Sequence, residues 1–440
     1  MPGSSFLRRL LGARRDKIDR RTQDLGTLCE ALLAEPAEFA GGALARDTLT
    51  AYQALDERCR QEFFDVLARA YSPSPEAVGA AADAYRNDPT PENFVRLQEA
   101  ADPPRQELFR RLNMAPGGTA ALVEMRRRLL RDLKAQPHWR VIDSDLRHLL
   151  RSWFNRGFLR MERIDWRTSA IVLEKLIQYE AVHAIQGWRD LRRRLEADRR
   201  CFAFFHPQLP DEPIIFIEVA LTRGMSANVQ PLLDIKSPVA SPESADCAMF
   251  YSITNCQEGL RGISFGNLLI KQVADELRRE FPHLRRFATL SPLSGFRRWL
   301  EQKRVEHPKE LALLTKLDQP DWHSGEVSDA LQRTLVRLCA HYLLRAKQEG
   351  GSDAEPLDAV ARFHLGNGAA LERINWMGDI SATGMARSAG LMVNYVYWLN
   401  EVERNHELYW RQKMITASPQ VEKLARESVL APQAEKGAAA

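Results

Sequence analysis

Apolar residues recur at three- and four-residue steps through the first 155 positions, the pattern of amphipathic helices. Leu55, Phe63, Phe64, Val66 and Leu67 fall in one such segment, and Ile142, Leu146, Leu149, Leu150 and Trp153 in another. Thr90-Pro91-Glu92 reads as a helix start with proline in the first turn. Pro103-Pro104 and Pro116-Gly117-Gly118 punctuate the segments. Almost nothing here alternates with the two-residue period of a strand.

After Phe154 the pattern changes. Residues 161–166 form a short alternating run, and a helix carrying Leu173, Leu176, Ile177, Ala181 and Val182 follows. Residues 201–206 and 214–219 are dense in aromatic and β-branched side chains and predict a hairpin-like pair of strands. Residues 248–254 predict a buried strand. Gly259, Gly262 and Gly266 then stud a loop, and Leu269, Ile270, Val273, Leu277 and Phe281 mark one face of a helix. Strand character resumes at 286–290 and breaks at Ser291-Pro292-Leu293-Ser294-Gly295-Phe296. Strands are thus expected over roughly 160–300, helices over 308–348, and a flexible joint at Gly350-Gly351-Ser352-Asp353. A dense polar cluster spans 362–379 and continues into 390–398, and disorder is expected beyond Glu427.

The strand–glycine loop–helix unit points to an anion. Glycines let a backbone approach a ligand, and the start of a helix offers unpaired N–H groups and the positive end of its dipole. Arg261 adds a formal charge. A turn that needs glycine for geometry alone accounts for the same residues. No Gly-Lys-Ser/Thr follows, and the spacing is not that of a dinucleotide fingerprint. The order of elements is similar to the coenzyme A pyrophosphate site of GNAT acyltransferases.

With 440 residues, 45% hydrophobic and 27% charged, the chain is long enough for two or more domains with a large core. A net charge of +4 is mild for this size, which argues against a nucleic-acid binder and suits a polyanionic small ligand. Arg126-Arg127-Arg128 and Arg192-Arg193-Arg194 are accordingly expected on solvated helix faces. Cys29, Cys59, Cys201, Cys247, Cys256 and Cys339 are scattered, with neither disulfide nor zinc spacing, so a reducing, cytoplasmic setting is expected. The most apolar run, Ile214 to Leu221, is interrupted by Glu218 and too short to span a bilayer, so no membrane is expected. Arg8, Arg9, Arg14, Arg15, Lys17, Arg20 and Arg21, with Asp16 and Asp19 among them, read as a solvated basic terminus.

Taken side by side, these segments resemble the malonyl-CoA decarboxylase family. The resemblance is carried by Phe250-Tyr251-Ser252-Ile253, Gln257-Glu258-Gly259-Leu260, Thr289-Leu290-Ser291-Pro292 with Gly295-Phe296, and Phe363-His364-Leu365 with Asn367-Gly368-Ala369. Arg373-Ile374-Asn375-Trp376-Met377 and Asn394-Tyr395-Val396-Tyr397 extend it over most of 160–400. It implies an α+β multidomain protein: an all-α helical N-terminal domain (1–155), a GNAT-like α/β catalytic domain with a mixed sheet (156–430) and a short tail (431–440). The implied reaction converts malonyl-CoA to acetyl-CoA and carbon dioxide with neither metal nor biotin, and no cofactor. A helical domain with no chemistry of its own suggests a homodimer or homotetramer formed through it.

Matched residue by residue, Ser291 and His364 stand at the family's catalytic serine and histidine, and Tyr397 at a tyrosine beside them. Arg261, Gly262, Ile263, Ser264, Phe265, Gly266 and Asn267 match its acyl-CoA loop, with Ser291 and His364 also expected on the substrate. Ser264 lies where some relatives carry a glutamate. Loss of carbon dioxide from a malonyl thioester leaves an enolate, which needs donors for its oxyanion and then a proton on carbon. His364 is the expected donor of that proton, with Ser291 orienting the imidazole or the malonyl carboxylate.

From the residues alone, His364 between Phe363 and Leu365 also reads as a partly buried structural histidine, and Ser291 as a helix cap. Two other functions fit the same cleft: a CoA-dependent acyltransferase, with Glu218 available as its base, and a non-catalytic malonyl-CoA-binding sensor.

Overall fold

A computed structural model describes residues 19–36, 42–263, 269–319, 322–323, 329–348 and 355–432. The expected basic stretch before Asp19, loop residues Ser264 to Asn267, the joint at 350–353 and the tail after 432 lie outside the described residues. The chain divides into two compact units. One comprises the described residues within Met1–Arg160, Phe205–Glu212 and Gln257–Phe265; the other holds the rest.

The first unit is helical. Its described helices are α1 (Arg20–Ala34), α2 (Ala43–Gln53), α3 (Glu57–Ala70), α4 (Pro75–Asn87), α5 (Pro91–Ala101), α6 (Pro104–Met114), α7 (Gly118–Asp132) and α8 (Arg140–Trp153). Their starts follow capping chemistry. The Ser74 and Thr90 hydroxyls accept the N–H groups of Ala77 (3.2 Å) and Asn93 (3.4 Å), and each is followed by a proline that has no N–H to satisfy. The predicted faces form the core: Phe63, Phe64, Leu67, Ile142, Leu146, Leu149 and Leu150 are buried.

The charge reading of α7 requires a correction. Arg126 is 2% exposed, not solvated, because its guanidinium has three oxygens to satisfy it. It donates to Asp143 Oδ1 (2.8 Å) and to the carbonyls of Gly259 (2.7 Å) and Arg261 (2.9 Å).

The second unit is built on an eight-stranded mixed sheet ordered β1-β2-β3-β4-β5-β8-β6, with β7 on β8. The strands are β1 (Arg160–Ile164), β2 (Arg199–Phe205), β3 (Pro213–Thr222), β4 (Cys247–Asn255), β5 (Arg286–Thr289), β6 (Ser291–Pro292), β7 (Ala370–Asn375) and β8 (Met392–Val396). All five predicted strands are present within a few residues of their expected bounds. The described helices are α9 (Ala170–Tyr179), α10 (Trp188–Arg194), α11 (Gln230–Leu233), α12 (Leu269–Glu280), α13 (Phe296–Glu306), α14 (Asp329–Arg345), α15 (Ala359–Gly366), α16 (Ala382–Ser388), α17 (Val402–Gln412) and α18 (Pro419–Arg426).

Sheet pairing sets up the site. β3 and β4 pair antiparallel along most of their length, whereas β4 pairs with β5 in parallel only from Cys247 to Phe250. Beyond Phe250, Leu290 donates one more bond, to the Phe250 carbonyl (2.9 Å), and Ser291-Pro292 turns to β8. A proline carries no N–H for a ladder, which suits a strand of two residues. β8 is thereby flanked by β5, β6 and β7, and each of its residues is buried. Ala220, Met249, Tyr251, Ala288, Leu290, Met392 and Val396 pack together across these strands.

Four sequence expectations are overturned here. Ser291-Pro292 pairs as β6 instead of only breaking a strand, and the polar cluster after 362 holds two strands, β7 and β8. Arg193 and Arg194, expected on a solvated face, are buried on Asp198 and on Asp190 with Glu218. The run beyond Glu427 is packed as far as described, with Ser428 and Ala431 buried.

Candidate active site

Ser291 and His364 are brought into direct contact, with His364 Nε2 3.0 Å from Ser291 Oγ. His364 Nδ1 is 2.8 Å from Tyr397 Oη. All three side chains are buried. Each reaches the site by a different route. Ser291 opens β6. Tyr397 follows the last residue of β8, its N–H bonded to the Phe287 carbonyl of β5 (2.8 Å). His364 occupies the last turn of α15, whose first turn is capped by Asp358 accepting from the Ala361 N–H (2.9 Å).

The helix of His364 is fixed at both ends. Asp358 is buried and accepts a bond from Tyr342 Oη (3.2 Å), and burial pushes its carboxyl above the ordinary range. After Gly366 the chain reverses through Gly368, at φ +85°, and the Ala369 N–H returns to the His364 carbonyl (3.1 Å). The Tyr395 ring stacks on the imidazole at 4.7 Å between centroids and 26° between planes.

Both ring nitrogens of His364 meet neutral hydroxyl groups, and among the described residues no carboxylate shares a bond with the ring. Desolvation therefore acts unopposed and pushes the imidazole down to about 3, so it is neutral. Burial pushes the Tyr397 hydroxyl well above its ordinary range, so it keeps its proton. A Ser-His-carboxylate relay of the hydrolase kind is not what stands here.

Thr289, Asn394 and Tyr395 complete the shell. Ser291 Oγ donates to Thr289 Oγ1 (2.8 Å), which also accepts the Tyr395 N–H (3.1 Å). Asn394 donates to the Thr289 carbonyl (2.7 Å) and accepts from Asn375 (2.9 Å) and Arg373 Nε (3.0 Å). None of the three was singled out from sequence as a site residue, although all lie in the motifs quoted above. The two-residue spacing of Thr289 and Ser291 was the available signal, since alternate strand residues share a face.

Of the expected acyl-CoA loop, Arg261, Gly262 and Ile263 are described, and they belong to the helical unit. Arg261 is exposed and Ile263 is buried. Upstream, a Cβ on Gly259 would stand 2.0 Å from the Val123 carbonyl oxygen, so geometry alone demands that glycine. Glu218 is buried and accepts from Arg194 Nη1 (2.7 Å); burial pushes its carboxyl up to about 7 against the pull of that guanidinium. Among the described residues, no three His, Cys, Asp or Glu side chains converge as a metal-holding group.

Comparison with known proteins agrees across the chain. Residues 71–154 match the family described as Malonyl-CoA decarboxylase N-terminal domain, and residues 157–436 match Malonyl-CoA decarboxylase C-terminal domain. The mitochondrial malonyl-CoA decarboxylase of Rattus norvegicus is 39% identical over 357 residues, 74% of this chain and 72% of that protein. The crystal structure of malonyl-CoA decarboxylase from Rhodopseudomonas palustris is 48% identical, with a TM-score of 0.87 over 91% of this chain and 99% of that one. The corresponding structure from Agrobacterium vitis is 46% identical, with a TM-score of 0.85 over the same shares. A helical region and a mixed-sheet unit that juxtaposes Ser291 with His364, matched along nearly their whole length, mean that this chain belongs to the malonyl-CoA decarboxylase family of enzymes.

Proposed function

We propose that this chain converts malonyl-CoA to acetyl-CoA and carbon dioxide, with His364 supplying the proton that the departing carboxylate leaves behind. The observation that carries this reading, within that family, is the buried chain of contacts Tyr397–His364–Ser291. The bond between C2 and the carboxylate breaks heterolytically, its electron pair passes into the thioester as an enolate, and carbon dioxide leaves. C2 then takes a proton.

The neutral imidazole donates the hydrogen on its nitrogen beside Ser291 to C2, and a proton from solvent replaces it. Tyr397, bonded to Nδ1, orients the ring. Ser291 holds the other nitrogen and reaches for the carboxylate or the thioester oxygen. The thioester carbonyl is itself the electron sink, so neither metal nor biotin enters the scheme. Arg261 and the loop through Asn267 receive the anionic coenzyme A moiety.

The test is purified protein with malonyl-CoA in deuterated buffer containing a chelator and avidin. Acetyl-CoA with one solvent deuterium in its methyl group, and released carbon dioxide, is expected. Intact malonyl-CoA, or turnover abolished by the chelator, would overturn the scheme.

The same reading assigns 1–155 to assembly and 156–430 to catalysis, with a homodimer or homotetramer formed through the helices. The hairpin of α4 and α5 supports this. Neither helix buries a residue, and Phe94 and Val95 are 44% and 49% exposed. Light scattering that returns a monomer of 50.1 kDa would refute it. A cytoplasmic location completes the proposal. The described helices include none long and apolar enough to cross a membrane, and all six cysteines are free. A fluorescent fusion tests the compartment directly.

A further inference from the structure

Resting on the catalytic reading of Ser291 and His364, we propose that Thr289 is a positioning residue that decides which ring nitrogen of His364 carries the proton. Thr289 touches neither the imidazole nor, in this scheme, the substrate. It acts through the hydroxyl of Ser291.

The Tyr395 backbone N–H can only donate, so at 3.1 Å it makes Thr289 Oγ1 an acceptor on that side. The second lone pair takes the Ser291 hydroxyl at 2.8 Å. With its hydrogen committed to Thr289, Ser291 meets His364 Nε2 at 3.0 Å only through its own lone pair, so Nε2 must bear a hydrogen. Nδ1 is then the acceptor of the Tyr397 hydroxyl at 2.8 Å. The result is a one-way chain from Tyr397 through His364 and Ser291 to Thr289, which presents an N–H beside Ser291.

Without the threonine oxygen, Ser291 can turn its hydrogen to Nε2, and the imidazole can shift to the Nδ1–H form with Tyr397 as acceptor. Both arrangements satisfy every group on the ring, so the histidine and its two neighbours cannot choose between them. Thr289 is held in place to do so. It lies in β5, and its carbonyl is bound by the wholly buried Asn394, whose amide oxygen is itself held by Asn375 and Arg373.

Nitrogen-15 NMR of histidine-labelled protein, with the His364 signals identified by their loss in His364→Gln, reads the tautomer in the native chain. The Nε2–H form is expected, and an Nδ1–H form would overturn the inference without any variant of Thr289. Thr289→Val should shift His364 toward Nδ1–H and lower kcat roughly tenfold to a hundredfold, with KM within about twofold. Thr289→Ser should restore both. An unchanged tautomer and kcat in the valine variant, or a serine variant as impaired as the valine one, would refute the role. Full turnover by Ser291→Ala or His364→Gln would instead sink the catalytic reading, while the tautomer still tests the direction of the chain.

Discussion

His364 Nε2 lies 3.0 Å from Ser291 Oγ, and 73 positions of sequence separate the two residues. Two groups that share one hydrogen bond in a buried site act as a unit, so their losses should not add. Ser291→Ala and His364→Gln are each expected to lower kcat by about a hundredfold or more. The double variant should fall little further. Carbon dioxide release by the three variants checks this, and additive losses would show that the residues act independently.

Burial of His364 makes a prediction for stability. An unfolded imidazole takes its proton near 6.5, whereas the folded one does so only near 3. Between those values the unfolded state binds more protons, so stability falls as pH falls, by roughly 1.4 kcal/mol per unit from this group alone. His364→Gln should flatten the acid limb by that amount between pH 6 and 4. His183 and His206 are also shifted downward by burial and should leave a residual slope. Urea denaturation at several pH values measures it, and an unaltered limb would show that His364 is not buried neutral.

Arg126 should matter where Arg127 and Arg128 do not. Arg126→Met leaves the carbonyls of Gly259 and Arg261 without their donor, loosening the segment that leads into the proposed acyl-CoA loop. KM for malonyl-CoA is expected to rise roughly tenfold with kcat nearly unchanged, while a loss of about 1–3 kcal/mol accompanies the unpaired carbonyls. Arg127 and Arg128 each pair with Glu124 at the surface, and replacing them should change neither constant.

Gly368 is predicted to tolerate no side chain. It lies at φ +85°, and a Cβ there would stand 2.1 Å from the backbone oxygen of Val402. Gly368→Ala should cost about 3 kcal/mol or more, since strain and overlap act together. A melting temperature within about 2 °C of the parent would contradict the assigned backbone.

The parts legible in the sequence were those determined by local pattern. Helical periodicity placed the N-terminal helices, and dense β-branched and aromatic runs placed β2, β3 and β4. β7 and β8 escaped because Ala370–Asn375 is half polar and Met392–Val396 carries Asn394 at its centre. Their strand character comes from pairing with each other and not from propensity. The arginine runs misled for a similar reason. Charge at one position cannot reveal that a distant backbone oxygen will bury it, as the Gly259 carbonyl buries Arg126.

The sequence by itself determined the helical first third, most of the sheet and, through motifs in order, the family, and it singled out Ser291, His364 and Tyr397 as the proposed site. Only the tertiary structure decided how they meet: that Ser291 turns onto β8, that α15 delivers the imidazole between two hydroxyl groups, and that Thr289 receives the end of the chain. Hydrogen-bond direction and desolvation are properties of three-dimensional neighbours, and here those neighbours come from positions 289, 291, 364, 395 and 397.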